Sequence, residues 1–162
     1  MNMKRTDVVL VGLGGTVVAA IVLAVFTVGG SSAPIQPSGS DVAAGAVLYA
    51  ENCASCHGDT LEGEPDWQIA KDDGTLPAPP HDQTGHTWHH GDALLFDYTK
   101  QGGQAAMAAR GVTSFTSGMP GFGDTLSDQQ IWDILAFIKS TWPDRIRQMQ
   151  ATKTRGEQQQ GN

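Results

Sequence analysis

The first strong pattern along the chain is a long apolar run. Residues 8–28 carry no charge and are mostly Val, Leu, Ile, Ala and Phe. At about 1.5 Å of rise per residue, a helix over that run covers roughly 31 Å, enough to cross a bilayer core. Lys4 and Arg5 precede it, and no basic residue follows until Lys71. The bias of Lys and Arg towards the cytoplasm therefore predicts residues 1–7 inside, a transmembrane anchor at 8–28 and everything beyond it exported. A cleaved signal peptide is the alternative, because residues 28–33 are small or weakly apolar. The run is longer than the apolar core of a signal peptide, and Pro34 follows one candidate cleavage point, so the pattern favours a retained anchor.

Beyond the run, the pattern changes several times. Residues 29–40 (GGSSAPIQPSGS) have no charge and little that packs, and read as a flexible linker. Such a coil spans roughly 17–21 Å on average and about 40 Å when fully extended. Residues 41–52 place apolar side chains at Val42, Ala46, Tyr49 and Ala50 behind Asp41, a capped helix. Residues 58–80 are polar and turn-rich. Residues 92–100 open on Asp92 and run into Gly102-Gly103, a short helix, and residues 103–123 read mostly as loop. The best helical pattern is 127–142, with Ser127 as cap, Ile131, Ile134, Leu135 and Ile138 at helical spacing, and Pro143 as stop. Residues 143–162 form a polar tail that can begin as a helix and is expected to end in disorder. The expected class is all-α.

Composition sharpens this picture. The 162 residues allow one domain of ordinary size. Setting aside Lys4, Arg5 and Asp7 leaves 8 basic and 16 acidic residues, a formal charge of −8 for the exported part. That balance excludes nucleic acid as a partner. It suits a basic partner, although acids spread for solubility are the commoner reason for such a charge. Large apolar residues are few for the number of helices, so the core needs something big and apolar to fold around.

The chemistry sits at the only two cysteines. Cys53-Ala54-Ser55-Cys56-His57 is C-x-x-C-H, the attachment pattern of c-type haem. Two thiols add across the two vinyl groups of one haem, and the next residue puts an imidazole on the iron. A redox dithiol would need a βαβ surrounding that this chain lacks. A zinc site would need ligands beyond the single cysteine pair, which His81, His86, His89 and His90 would have to supply. For the opposite face of the iron, Met119 stands in the Gly/Pro-rich stretch Ser117-Gly118-Met119-Pro120-Gly121-Phe122, shortly before the 127–142 helix. Met107, Met149 and the four later histidines are its rivals, and a Met filling a gap is the plain alternative. Histidine with methionine suits an electron carrier, because both faces of the iron are blocked and the thioether raises the potential.

The 41–142 region resembles the class I cytochromes c. The resemblance rests on C-x-x-C-H, on Gly45 and Tyr49 eight and four residues before Cys53, and on Ile134 and Phe137 in the 127–142 helix. It implies three or more helices around one covalent haem c, with those four residues packed where the first and last helices cross. It also implies a Pro carbonyl that accepts the His57 N–H, for which Pro79 matches best and Pro80 is the second choice. The 74–90 segment is longer and richer in His and Pro than in short bacterial relatives. Trp88 is either a core aromatic or a donor to a haem propionate. Arg110 either pairs with a propionate or lies in water. The His81, His86, His89 and His90 group reads as a solvated surface more readily than as a metal site.

These readings converge on a membrane-anchored, mono-haem electron carrier at the periplasmic face of a bacterial inner membrane, with no chemistry of its own beyond electron transfer. The expected partners are redox proteins in or at the membrane: an oxidase, a quinol-oxidising complex, a reaction centre or a dehydrogenase. A subunit of a larger oxidoreductase is the second reading. A haem enzyme or gas sensor with an open iron site is the third, and it requires that Met119 not bind.

Overall fold

A computed structural model describes residues 33–160. The expected 1–7 segment, the 8–28 anchor and the start of the linker lie outside the described residues. Among the described residues no helix is long and apolar enough to cross a membrane.

Six α-helices and no strand are found among the described residues. They are α1 Val42–Asn52, α2 Ala54–His57, α3 Asp92–Gln101, α4 Gly103–Ala109, α5 Asp128–Ser140 and α6 Asp144–Gln160. A single 3-10 turn, Thr87–His89, precedes α3. Asp41 caps α1, its carboxylate accepting the Ala43 and Ala44 N–H groups at 2.9 and 3.0 Å. Ser127 opens α5 in a reciprocal box with Gln130.

α5 is the central rod. Residues 131–136 are buried without a break, so neighbours cover it on most of its circumference. α1 crosses it where Gly45 lies against the Asp133 and Ile134 backbone, and a Cβ there would overlap the Asp133 carbonyl. The Tyr49 and Phe137 rings meet beside the crossing at 5.4 Å between centroids. The four residues singled out in sequence thus mark this contact. On the other side, Phe96 of α3 stacks on Trp132 at 4.4 Å. Leu61, Leu95, Leu126, Ile131, Leu135, Ile138 and Trp142 complete the core.

Two expectations are corrected. Residues 103–109 form α4, because the Ala-rich GQAAMAA stretch has strong helix formers directly behind the break at Gly102, where φ is +84°. Pro143 stands between α5 and α6, and the tail begins as a helix directly behind it, since proline is tolerated where the first helical N–H groups have no partner. The tail, expected to end in disorder, is helical as far as Gln160. It is held by a polar stripe. Glu157 accepts the Gly91 and Ala93 N–H groups at 3.2 and 3.0 Å, and Thr154 accepts that of Asp92 at 3.1 Å. These are the free amides at the start of α3, whose own cap residue, Gly91, has no side chain to offer.

The linker is also less free than its composition suggests. The Gln36 N–H donates to Asp92 at 2.9 Å, which ties this stretch of the linker to the start of α3.

Candidate functional site

The attachment motif is the last turn of the first helical segment. The Cys53 N–H donates to the Tyr49 carbonyl at 2.8 Å, closing α1, and the His57 N–H donates to the Cys53 carbonyl at 2.9 Å within α2. Residues at i, i+3 and i+4 share a helix face, which groups Cys53, Cys56 and His57. Both cysteines are free thiols, Cys53 half-buried and Cys56 exposed. Burial, aided by the neighbouring Cys56, pushes the Cys53 thiol up to about 11. A redox dithiol needs the opposite, a depressed thiol. Among the described residues no group of three or more His, Cys, Asp or Glu is arranged to hold a metal ion, which removes support from the zinc reading.

His57 is buried, and its Nδ1–H donates to the Pro79 carbonyl at 2.8 Å. Pro79, rather than Pro80, is the residue at this position. That bond assigns the proton to Nδ1 and leaves Nε2 as a free donor for a metal. Burial holds the imidazole below its ordinary pKa against the pull of the Pro79 carbonyl and Glu64, so the ring is neutral, as a metal ligand must be.

The Pro79 carbonyl is aimed by the loop after the motif. The Gly63 N–H donates to the His57 carbonyl at 2.8 Å. Gly63 has φ +70°, and a Cβ there would stand 2.5 Å from the Pro80 nitrogen, so only glycine lets the two strands of the loop close. Glu64 then grips the opposite strand twice. Its N–H donates to the Ala78 carbonyl at 2.8 Å, and its carboxylate accepts the Ala78 N–H at 2.6 Å.

Sequence reasoning missed the place of one member of the site. His81, which it weighed as a rival ligand and read more readily as part of a solvated surface, stacks on the His57 ring at 3.9 Å between centroids. The available signal was its place two residues after Pro79.

Met119 belongs to a second built loop. Its N–H donates to Ser117 Oγ at 3.2 Å, and Ser117 Oγ also pairs with the Tyr98 hydroxyl at 3.0 Å. The Met119 carbonyl accepts the Gly103 N–H at 3.1 Å, and the Phe122 and Gly123 N–H groups donate to Thr99 and Lys100 of α3. A Cβ on Gly121 would stand 2.7 Å from the Gln101 backbone, so the loop lies directly on the end of α3. This is a rigid mount for a thioether.

The remaining candidates are placed otherwise engaged. The Trp88 indole N–H donates to the Gln83 carbonyl at 3.2 Å, and the ring packs against the core. The Arg110 guanidinium pairs with Asp97 at 2.8 Å and with the Ala106 carbonyl at 3.1 Å. His86 stacks on His89 at 5.1 Å between centroids and meets His90 edge-on at 4.7 Å, away from the His57–His81 pair in their contacts.

The chain matches the family model for cytochrome c over residues 42–142, and it belongs to that family. No curated protein and no solved structure matches it. The family implies a covalently attached haem c, and the residues present fit that group. Two unpaired thiols stand on one helix face beside a buried neutral imidazole with one nitrogen left over. When bound, the haem supplies a one-electron couple; the chain's part is to hold it, orient its ligands and shield it.

Proposed function

We propose that this is a membrane-anchored, mono-haem cytochrome that carries single electrons between redox proteins at the periplasmic face, with His57 and Met119 as axial ligands. The haem-based electron-transfer role follows from the family. The observation that carries the finer reading is the His57 Nδ1–H bond to the Pro79 carbonyl, beside two free thiols. Such a bond serves to fix the ring of a metal ligand. The braced Met119 loop supports a closed iron site, hence a carrier rather than an enzyme or gas sensor. The apolar 8–28 run with Lys4 and Arg5 before it supports the anchor, and attachment of haem c on the exported side agrees with that topology.

The test is spectroscopic. The oxidised protein is expected to show the weak near-infrared band of sulfur-to-iron charge transfer. Met119→Ala is expected to abolish the band and lower the potential. A band that survives, or that disappears instead in a Met107 or histidine variant, overturns the assignment.

A fixed subunit of a larger membrane oxidoreductase is the second reading, and the tied linker favours it. With Gln36 bonded to Asp92, the free leash is shorter than the whole 29–40 segment. A short leash restricts the domain to immediate neighbours. Extraction in mild detergent distinguishes the two, a stable co-purifying complex for the subunit and a lone chain for the tethered carrier.

A further inference from the structure

His81 is held from more directions than a space-filling residue requires. Its N–H donates to the Leu61 carbonyl at 2.8 Å. Leu61 is turned into the left-handed region at φ +67°, an uncommon conformation for leucine. The His81 carbonyl accepts the Trp142 indole N–H at 2.7 Å, which ties it to the end of α5. On the side chain, Nδ1 shares a 2.6 Å hydrogen bond with the buried Thr87 hydroxyl, and Tyr49 stands edge-on at 6.1 Å. The motif loop, the 3-10 turn, α1 and the residue just after α5 thus converge on one histidine, the first and last at its backbone and the other two at its ring. That imidazole lies flat on His57, at 25° between ring planes.

We propose that His81 is a positioning residue for the iron ligand, setting the rotation of the His57 ring about its own axis. The Pro79 carbonyl alone fixes where Nδ1 points, but one hydrogen bond leaves a ring free to rock about it. A flat partner, itself pinned at its backbone and at Nδ1, removes that freedom. A leucine or valine would fill the same volume without defining a plane. The Thr87 bond is what keeps the His81 plane from turning in its turn. Ring orientation matters to the function, because the ligand plane selects which iron d orbital gives up the electron. It therefore sets the direction in which the redox orbital extends over the haem.

The proposal rests on His57 being an axial ligand, and the experiment separates the two claims. The full chain is matured with haem in three forms: parent, His81→Phe, which keeps a flat ring, and His81→Ala, which removes it. The ferric protein's electron paramagnetic resonance g-values and the order of its haem methyl shifts both report the ligand plane. His81→Ala is expected to move the low-field g-value and reorder the methyl shifts, and His81→Phe to return both towards the parent. Identical g-values and methyl order in parent and His81→Ala, with only a lower melting temperature, overturn the proposal and leave a packing residue. Should His81→Ala fail to accumulate, Thr87→Val is the second variant. It keeps the ring and removes its anchor, and is expected to shift the same signals, while an unchanged spectrum overturns the proposal. Nitrogen hyperfine coupling in protein labelled with 15N-histidine checks the ligand itself. Absence of that coupling in the parent removes the ligand reading and the proposal with it. Coupling present with an unmoved plane removes only the proposal.

Discussion

α1 meets α5 through bare backbone and apolar rings, whereas α6 meets the start of α3 through a carboxylate, a hydroxyl and an amide. At the first contact Gly45 lets two backbones touch, and Tyr49 and Phe137 cover the crossing. At the second, Glu157 and Thr154 satisfy three amides of α3, and the Gln150 side-chain amide donates to Asp92 at 2.8 Å and to the His90 carbonyl at 3.2 Å. The apolar crossing ends at Cys53 and so positions the haem attachment. The polar junction braces α3, whose far end carries the Met119 loop. The two contacts thus serve the attachment motif and the Met119 loop by different physics. One is driven by burial and is insensitive to charge; the other depends on every hydrogen bond being made.

The polar junction breaks most easily at its buried ion pair. Asp92 and Lys139 are paired with side chains 5% and 14% exposed. Burial alone would raise the Asp92 carboxyl. The Lys139 ammonium, with hydrogen bonds from Lys139, the Gln36 N–H and Gln150, more than offsets this and holds it below its ordinary value. Asp92→Asn leaves Lys139 buried without its counter-charge and is expected to cost about 3–5 kcal/mol. The pH dependence has a definite sign. A depressed folded-state carboxyl contributes stability in full above its unfolded pKa and loses it as pH falls through the folded one. Denaturant melts of parent and Asp92→Asn across the acid range are therefore expected to converge at low pH. A gap that stays constant down to full protonation would show that the pair contributes nothing through charge. The iron spectrum is expected to be the same in both proteins at neutral pH.

The apolar crossing breaks at Gly45. Gly45→Ala would place a methyl group into the Asp133 carbonyl, and neither backbone can retreat without moving a helix. The expected loss is about 2–3 kcal/mol, at the upper end for overpacking. Because α1 leads straight into Cys53, a shifted helix is expected to lower the yield of haem-bearing protein as well. Urea melts and the ratio of haem absorbance to protein measure the two effects. Loss of stability with full haem yield would separate the crossing from the attachment site.

The same contrast explains what the amino-acid sequence disclosed. The attachment motif, the Asp41 and Ser127 caps and the Gly45, Tyr49, Ile134 and Phe137 set are legible because each leaves a fixed spacing or an apolar period. α6 leaves neither, since Gln150, Thr154 and Glu157 fall on one face at spacings of four and three but are all polar. A search for apolar periodicity reads them as solvent-facing. α4 was hidden by Gly102 before it and Gly103 at its first position. The packed linker rests on a backbone N–H, which no side-chain pattern reveals. His81 was legible as a histidine but not as a partner of His57, because the loop that brings them together closes through Gly63, Glu64 and Leu61, with no regular period. Arg110 and Trp88 show the converse. Each has chemistry suited to a propionate, and each bonds to a protein partner, Asp97 or the Gln83 carbonyl, that spacing did not suggest.

The finest test of the comparison uses one substitution at two helical glycines. Gly156 lies within α6, as Gly45 lies within α1, but a Cβ at Gly156 would meet nothing within 4 Å. With no steric term, Gly156→Ala changes only backbone freedom. Alanine loses less entropy than glycine on entering a helix, so the expected effect is a gain of about 0.5–1 kcal/mol. The sign is opposite to that at Gly45, although the chemical change is identical. The gain reaches the domain only if α6 is folded onto α3 in solution, since a frayed tail would stiffen without adding to the cooperative transition. Gly156→Ala is therefore expected to raise the melting temperature of the whole domain by a few degrees, and Glu157→Ala in the same chain to remove most of that rise by undoing the bonds to Gly91 and Ala93. A rise in helical signal with no change in melting temperature would mean that α6 is helical yet uncoupled, and that the α3 amides find their partners in water.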